Sequence, residues 1–289
     1  MADSAALPDH EASPPHILRE TVVRPTSGWR ALNLGELLLY RDLLMFLVWR
    51  DLKVRYQQTI LGGAWAIIQP LATMLVFTVV FGKLAKLPSD GIPYPLFSFT
   101  ALVIWTYFSQ AVSGAVNSLI GNTQLIEKVY FPRLILPIAA VVRGLADLAV
   151  AFAFLLALLA FYGVWPTWKV VFVIPFTLLA IVATVGVGAG LAAVNVRFRD
   201  VRQMMPLMVQ LWMFATPVAY PSSMAPEAWR PLLGLNPMTG VVEGYRWAML
   251  NTGPFPFDLV AMSTASALVM LIVGLFVFRR IESSFADII

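Results

Sequence analysis

The chain has 289 residues, of which 59% are hydrophobic and only 12% charged, and its mean hydropathy is +0.78. Soluble domains carry roughly twice that charged fraction, so an ordinary water-soluble fold is excluded. The absence of cysteine rules out disulfides and thiolate metal sites, and a net charge of +4 in so apolar a chain points to basic loops on the cytoplasmic side of a membrane rather than to nucleic-acid binding.

Residues 1–33 hold Pro8, Pro14, Pro15 and Pro25 among acidic and small residues. They lack the basic start and apolar core of a secretory signal and predict a disordered cytoplasmic tail. Both histidines, His10 and His16, fall here, which argues against a histidine proton relay within the membrane. Residues 34–60 mix Leu37, Leu38, Leu43, Phe46, Leu47 and Trp49 with Arg41, Asp42, Arg50, Asp51, Lys53 and Arg55. No charge-free run here is long enough to cross a bilayer, so the segment predicts an amphipathic helix at the inner membrane face. Two shorter pieces breaking near Trp49 fit the pattern as well, and a cytoplasmic helical hairpin is the alternative.

Six charge-free intervals follow, and a helix needs about 20 apolar residues to cross the hydrocarbon core. They predict spans at 64–82, 96–121, 134–163, 170–195, 203–221 and 258–278, within a six-span domain over 61–289. With the N-terminus inside, only Lys83, Lys86, Lys169, Arg230 and Arg246 fall in outer parts. Both termini are therefore expected in the cytoplasm. The segment from Pro221 to Pro256 holds apolar runs too short to cross, broken by prolines and glycines. It predicts short re-entrant helices at the outer face, shielded by protein or lining a wet cavity.

A phosphate-binding loop needs glycines, a lysine and a hydroxyl at fixed spacing. Gly82-Lys83-Leu84 lacks the earlier glycine and the hydroxyl. Gly186, Gly188 and Gly190 sit inside a predicted span, where they read as a small-residue face for a neighbouring helix. The turn at 122–133 suits docking, with Tyr130 and Phe131 as anchors and Glu127 and Lys128 setting register. Arg143 and Asp147 share a face of the third span and form a candidate intramembrane pair, unless the helix enters the membrane only near Leu148. Trp105, Tyr107, Trp212 and Tyr220 are candidates for facing a path through the membrane. The alternative for these aromatics is an interfacial belt. Arg50, Lys53 and Arg55 form a candidate basic site for a lipid headgroup. The alternative there is attraction to anionic lipids.

Arg50-Asp51-Leu52-Lys53-Val54-Arg55-Tyr56, with Leu61-Gly62, Trp65 and Pro70, resembles the opening signature of ABC-2-type polysaccharide-export permeases. Lys128-Val129-Tyr130-Phe131-Pro132-Arg133 with Pro137 is similar to that family's coupling segment. Asn195 to Val201, Pro217 to Pro221, Asn236 to Gly240 and Glu243 to Arg246 resemble its later motifs, in order. The resemblance implies a homodimer that binds two copies of a separate ATPase, with ATP and magnesium held there and no cofactor on this chain. It implies a transport subunit of the inner membrane rather than an enzyme, coupled through Glu127, Lys128, Tyr130, Phe131 and Arg133. The implied cargo is an O-antigen, capsule or teichoic-acid chain on a lipid diphosphate, so that Trp105, Tyr107, Trp212 and Tyr220 would stack on its sugar rings and Arg50, Lys53 and Arg55 would meet its diphosphate. The alternatives are an ABC-2 exporter of drugs or small lipids, an ion-coupled carrier, and a non-transporting scaffold. The carrier would be expected to show mid-membrane acids and internal repeats, where this chain offers Asp147 and no visible repeat.

Overall fold

A computed structural model describes residues 39–57, 62–226 and 229–282, together with Gly35 and Phe285. The predicted tail 1–33 and the ends of the predicted 34–60 helix lie outside the described residues. Among the described residues there are helices and loops and no strand. Ten α-helices lie in the described residues: α1 Arg41–Gln57, α2 Trp65–Phe77, α3 Tyr94–Ser118, α4 Thr123–Lys128, α5 Ile135–Phe161, α6 Val173–Arg197, α7 Asp200–Ala215, α8 Arg230–Leu233, α9 Pro237–Leu250 and α10 Phe257–Glu282.

Among the described residues, five segments are long and apolar enough to cross a membrane: Gly62–Leu84, Tyr94–Ser118, Ile135–Phe161, Trp168–Arg197 and Phe257–Glu282. They coincide with five of the six predicted spans. The remaining one, predicted at 203–221, forms the 16-residue α7. At 1.5 Å per residue α7 is about 24 Å long, short of a hydrocarbon core of about 30 Å. Its end has a local cause. Thr216 is extended, with φ −96° and ψ 140°, because the ring of Pro217 disfavours helical geometry in the residue before it.

α3 is the hub. It packs against α5, α6 and α9, and 18 of its 25 residues are buried. Pro95 starts it without loss, since the first helical N–H groups have no intrahelical acceptor. In α2, Pro70 removes one interior hydrogen bond, and the helix widens into π-helical turns over Thr78–Leu84. Leu75 and Val76 on α2 and Val79 and Val80 in the π-helical turns after it face outward, as do Leu268, Val269, Ile272 and Val273 on α10.

The glycine-rich stretch in α6 makes the close helix contact expected of it. A Cβ on Gly186 would stand 2.6 Å from the Leu271 backbone of α10, and one on Gly274 would overlap the Gly186 carbonyl. Small residues let the two backbones approach and gain dispersion contact, which replaces the hydrophobic drive that lipid does not supply.

α1 is one continuous helix through Trp49. Leu47 and Val48 are buried in an apolar cluster with Leu119, Ile135 and Phe278. Met45, Phe46 and Trp49 face outward. Apolar residues thus occupy opposite sides, so α1 does not present one polar and one apolar face. It also climbs alongside the bundle. Leu47 and Arg50 share a cavity with Ser118 at the end of α3, whereas Arg55 reaches Gln110. Those eight residues of α3 correspond to about 12 Å.

Candidate functional site

Asp147 lies twelve residues into α5 and is 8% exposed. Its carboxylate does not pair with Arg143. It accepts Arg55 Nη1 at 3.0 Å and the Tyr56 hydroxyl at 2.9 Å, both from the end of α1. Burial first, then the hydrogen bond to Asp147, raises the Tyr56 phenol above its ordinary pKa, so it stays protonated and donates. Arg55 Nη2 also donates to Gln110 Oε1 at 3.3 Å, and Gln110 Nε2 donates to Gln69 Oε1 at 2.8 Å. A polar network therefore links α1, α2, α3 and α5, buried at Asp147 and exposed at Gln69. The predicted Arg143–Asp147 pair is corrected by this geometry: shared helix spacing allowed it, but Arg55 arrives from a third helix and takes the carboxylate.

The predicted cluster of Arg50, Lys53 and Arg55 does not converge. Arg50 Nη2 donates to Asp51 at 2.8 Å and to Asn122 Oδ1 at 2.8 Å. Arg55 is committed to Asp147, and Lys53 is exposed. Five residues of helix turn Arg50 and Arg55 through roughly 500°, so their forks address different neighbours.

At the same end, α4 and the segment after it carry the predicted docking residues. Glu127, Lys128 and Tyr130 are exposed, Tyr130 at 62%. Phe131 is 4% exposed and belongs to the chain's own cluster with Leu134, Ile135 and Phe278. It is a core residue here, not an anchor offered to a partner. Arg133 is likewise turned inward: Nη1 donates to the Glu282 carbonyl at 2.8 Å, neutralising the carbonyl end of α10.

The opposite end is organised by α9. All of its residues except Glu243 are buried, although 14 residues are too few to cross. Asn236 caps it by accepting the Met238 N–H at 3.0 Å, and Pro237 holds the first helical position. The Asn236 amide also accepts Trp212 Nε1 at 2.9 Å and donates to Thr216 Oγ1 at 2.8 Å. Arg246, 1% exposed, donates to the carbonyls of Pro217 at 2.6 Å and Val218 at 2.8 Å. It also pairs with Glu243 at 3.1 Å and lies 3.6 Å over the Phe97 ring. One buried guanidinium therefore ties the extended turn after α7 to α9 and α3. The resemblance singled out these positions, but what they do is visible only in the geometry.

Of the four predicted path aromatics, Trp105 and Tyr107 are each 3% exposed. Trp105 packs on Phe108, and Tyr107 covers Gly144, where a Cβ would meet its ring at 3.1 Å. Neither offers a free ring face. Trp212 and Tyr220 do come together, lining a cavity of about 530 Å³ with Trp229 and Asn236. Sequence reasoning gave Tyr56 no role beyond its place in the opening signature, and it missed Gln69 and Gln110. The signal was present as uncharged polar residues in or beside spans, which a search for charges alone passes over.

Several apolar spanning helices around a short, protein-shielded helix define a multi-pass α-helical membrane protein. Residues 42–250 match the ABC-2 type transporter family, and the chain belongs to it. The chain is 35% identical over 256 residues to the O-antigen export system permease protein RfbA of Myxococcus xanthus, covering 87% of this chain and 97% of that protein. It is 29% identical to the protein of the same name from Klebsiella pneumoniae, over 89% of this chain and 97% of that one. The polysialic acid transport protein KpsM of Escherichia coli is 24% identical, over 81% and 92%.

Proposed function

We propose that this chain is the membrane subunit of an exporter that moves a lipid-linked polysaccharide out of the cytoplasm across the inner membrane. The observation that carries this reading is likeness over nearly the whole length of relatives named as O-antigen export permeases, at 97% of their chains. ATP is hydrolysed on a separate subunit, present in two copies, that docks on the exposed α4 loop through Tyr130, Glu127 and Lys128. The α4 end and both termini face the cytoplasm, where the basic loops lie. Two copies of the chain form the conduit. In that assembly α7 is the sixth crossing, and its exposed Met204, Leu207, Leu211 and Phe214 meet the second copy instead of a bilayer thicker than the helix. Trp212 and Tyr220 stack on sugars near the exit, because their cavity presents aromatic rings beside an amide and sugar rings offer apolar C–H faces.

Deleting the gene should leave full-length glycan on its lipid carrier inside the cell, and the intact gene in trans should restore surface glycan. Surface glycan at wild-type level in the deletion strain would refute the reading.

A further inference from the structure

Arg143 sits on α5, eight residues past its start, and makes no hydrogen bond or ion pair with any described residue. Its Nε is buried and without a partner. An unpaired guanidinium in a spanning helix is unfavourable unless it is hydrated or meets an anion, and such residues mark ligand sites. Space has been left for it. Gly114 on α3 faces it, and a Cβ there would stand 3.0 Å from Nη2. Beside it lies a cavity of about 230 Å³, lined also by Arg50, Asp51, Asn117 and Asn122. That volume is several times the ~30 Å³ a water occupies in the liquid. Asp51 is the one carboxylate in the lining, and it accepts Arg50 Nε at 3.0 Å and Nη2 at 2.8 Å. Its charge is matched within that pair, which leaves the charge of Arg143 uncompensated.

We infer that this cavity binds the phosphate of an amphiphile, with Arg143 as its cation and Arg50, whose charge is matched by Asp51, beside it as a further N–H donor. Guanidinium forks suit phosphate oxygens, which accept two parallel N–H bonds. The phosphate comes either from a membrane phospholipid or from the diphosphate of a lipid-linked glycan, and the second source rests on the proposed function. Arg50 keeps part of the role its sequence position indicated, but its partner is Arg143 on another helix, not Lys53 or Arg55.

The test uses the full chain in phosphatidylcholine nanodiscs, with native mass spectrometry reading bound lipid. The probes are a polyprenyl diphosphate, the matching polyprenol and phosphatidylglycerol. The wild type should retain the diphosphate about tenfold better than the polyprenol. Arg143→Gln should bring the two to near parity without lowering the thermal midpoint, because it removes an uncompensated charge. Gly114→Val, which fills the space while keeping Arg143, should also abolish the preference, and it guards against misfolding of the first variant. Phosphatidylglycerol that displaces the diphosphate at equal concentration identifies bulk lipid as the source; failure to displace it identifies the glycan carrier. A preference that survives in both variants, or no preference in the wild type, overturns the site. If the preference is found but the deletion strain exports glycan normally, the proposed function fails and the phosphate site stands.

Discussion

Breaking the Arg55–Asp147 pair one partner at a time should destabilise the bundle far more than removing both. Asp147 is nearly buried, and its carboxylate is held by Arg55 at 3.0 Å and Tyr56 at 2.9 Å. Removing one partner of a fully buried pair leaves an uncompensated charge and typically costs about 3–5 kcal/mol. The Arg55 side chain is 30% exposed, and Tyr56 still donates to Asp147 when Arg55 is gone, so about 2–3 kcal/mol is the better expectation here. For a chain of this size that corresponds to a fall in thermal midpoint of roughly 4–10 °C. Arg55→Met and Asp147→Leu should each show it. The double variant should recover most of the loss, because apolar replacement of both members of a buried pair is often neutral. Melting curves of all four proteins in nanodiscs form a double-mutant cycle. Additive single losses, or no loss in either single variant, would refute the claim that this pair fixes α1 to α5.

Gly274→Ala should prevent stable folding or sharply lower the thermal midpoint, since its methyl overlaps the Gly186 carbonyl, whereas Gly121→Ala, facing open space, should be close to silent in the same assay. Arg246→Lys should lose about 3 kcal/mol or more, read as a lower midpoint and increased proteolysis of the turn after α7, because a point-charge donor does not reproduce the fork across Pro217, Val218 and Glu243. Tyr130→Ala should keep the fold and lose co-purification of the ATPase, while Phe131→Ala should cost the ~3–5 kcal/mol of stability typical of a core aromatic, read as a lower midpoint; equal behaviour of the two would contradict their different burial.

The spans were legible because charge-free runs of bilayer length have few other uses. The shortness of α7 was legible too, in Pro217, whose effect on Thr216 is local; counting charges alone hid it. The small-residue face of α6 was readable from Gly186, Gly188 and Gly190, although its partner on α10 was not. What sequence could not supply was pairing across the fold. Arg143 and Asp147 are neighbours on one helix, but the carboxylate's partner is Arg55, 92 positions earlier in the chain. Tyr130 and Phe131 are adjacent aromatics in one loop, and only tertiary packing turns one outward and the other into the core. The buried Trp105 and Tyr107 belong to the same class, since composition does not separate an aromatic facing a path from one filling a hub helix.

ATP-driven glycan export is tested by reconstituting the chain with the proposed ATPase subunit in proteoliposomes loaded on one face with lipid-linked polysaccharide. Glycan should appear on the opposite face only when ATP is hydrolysed and only when both subunits are present. Movement without ATP, or ATP hydrolysis that leaves the glycan on its original face, would contradict it.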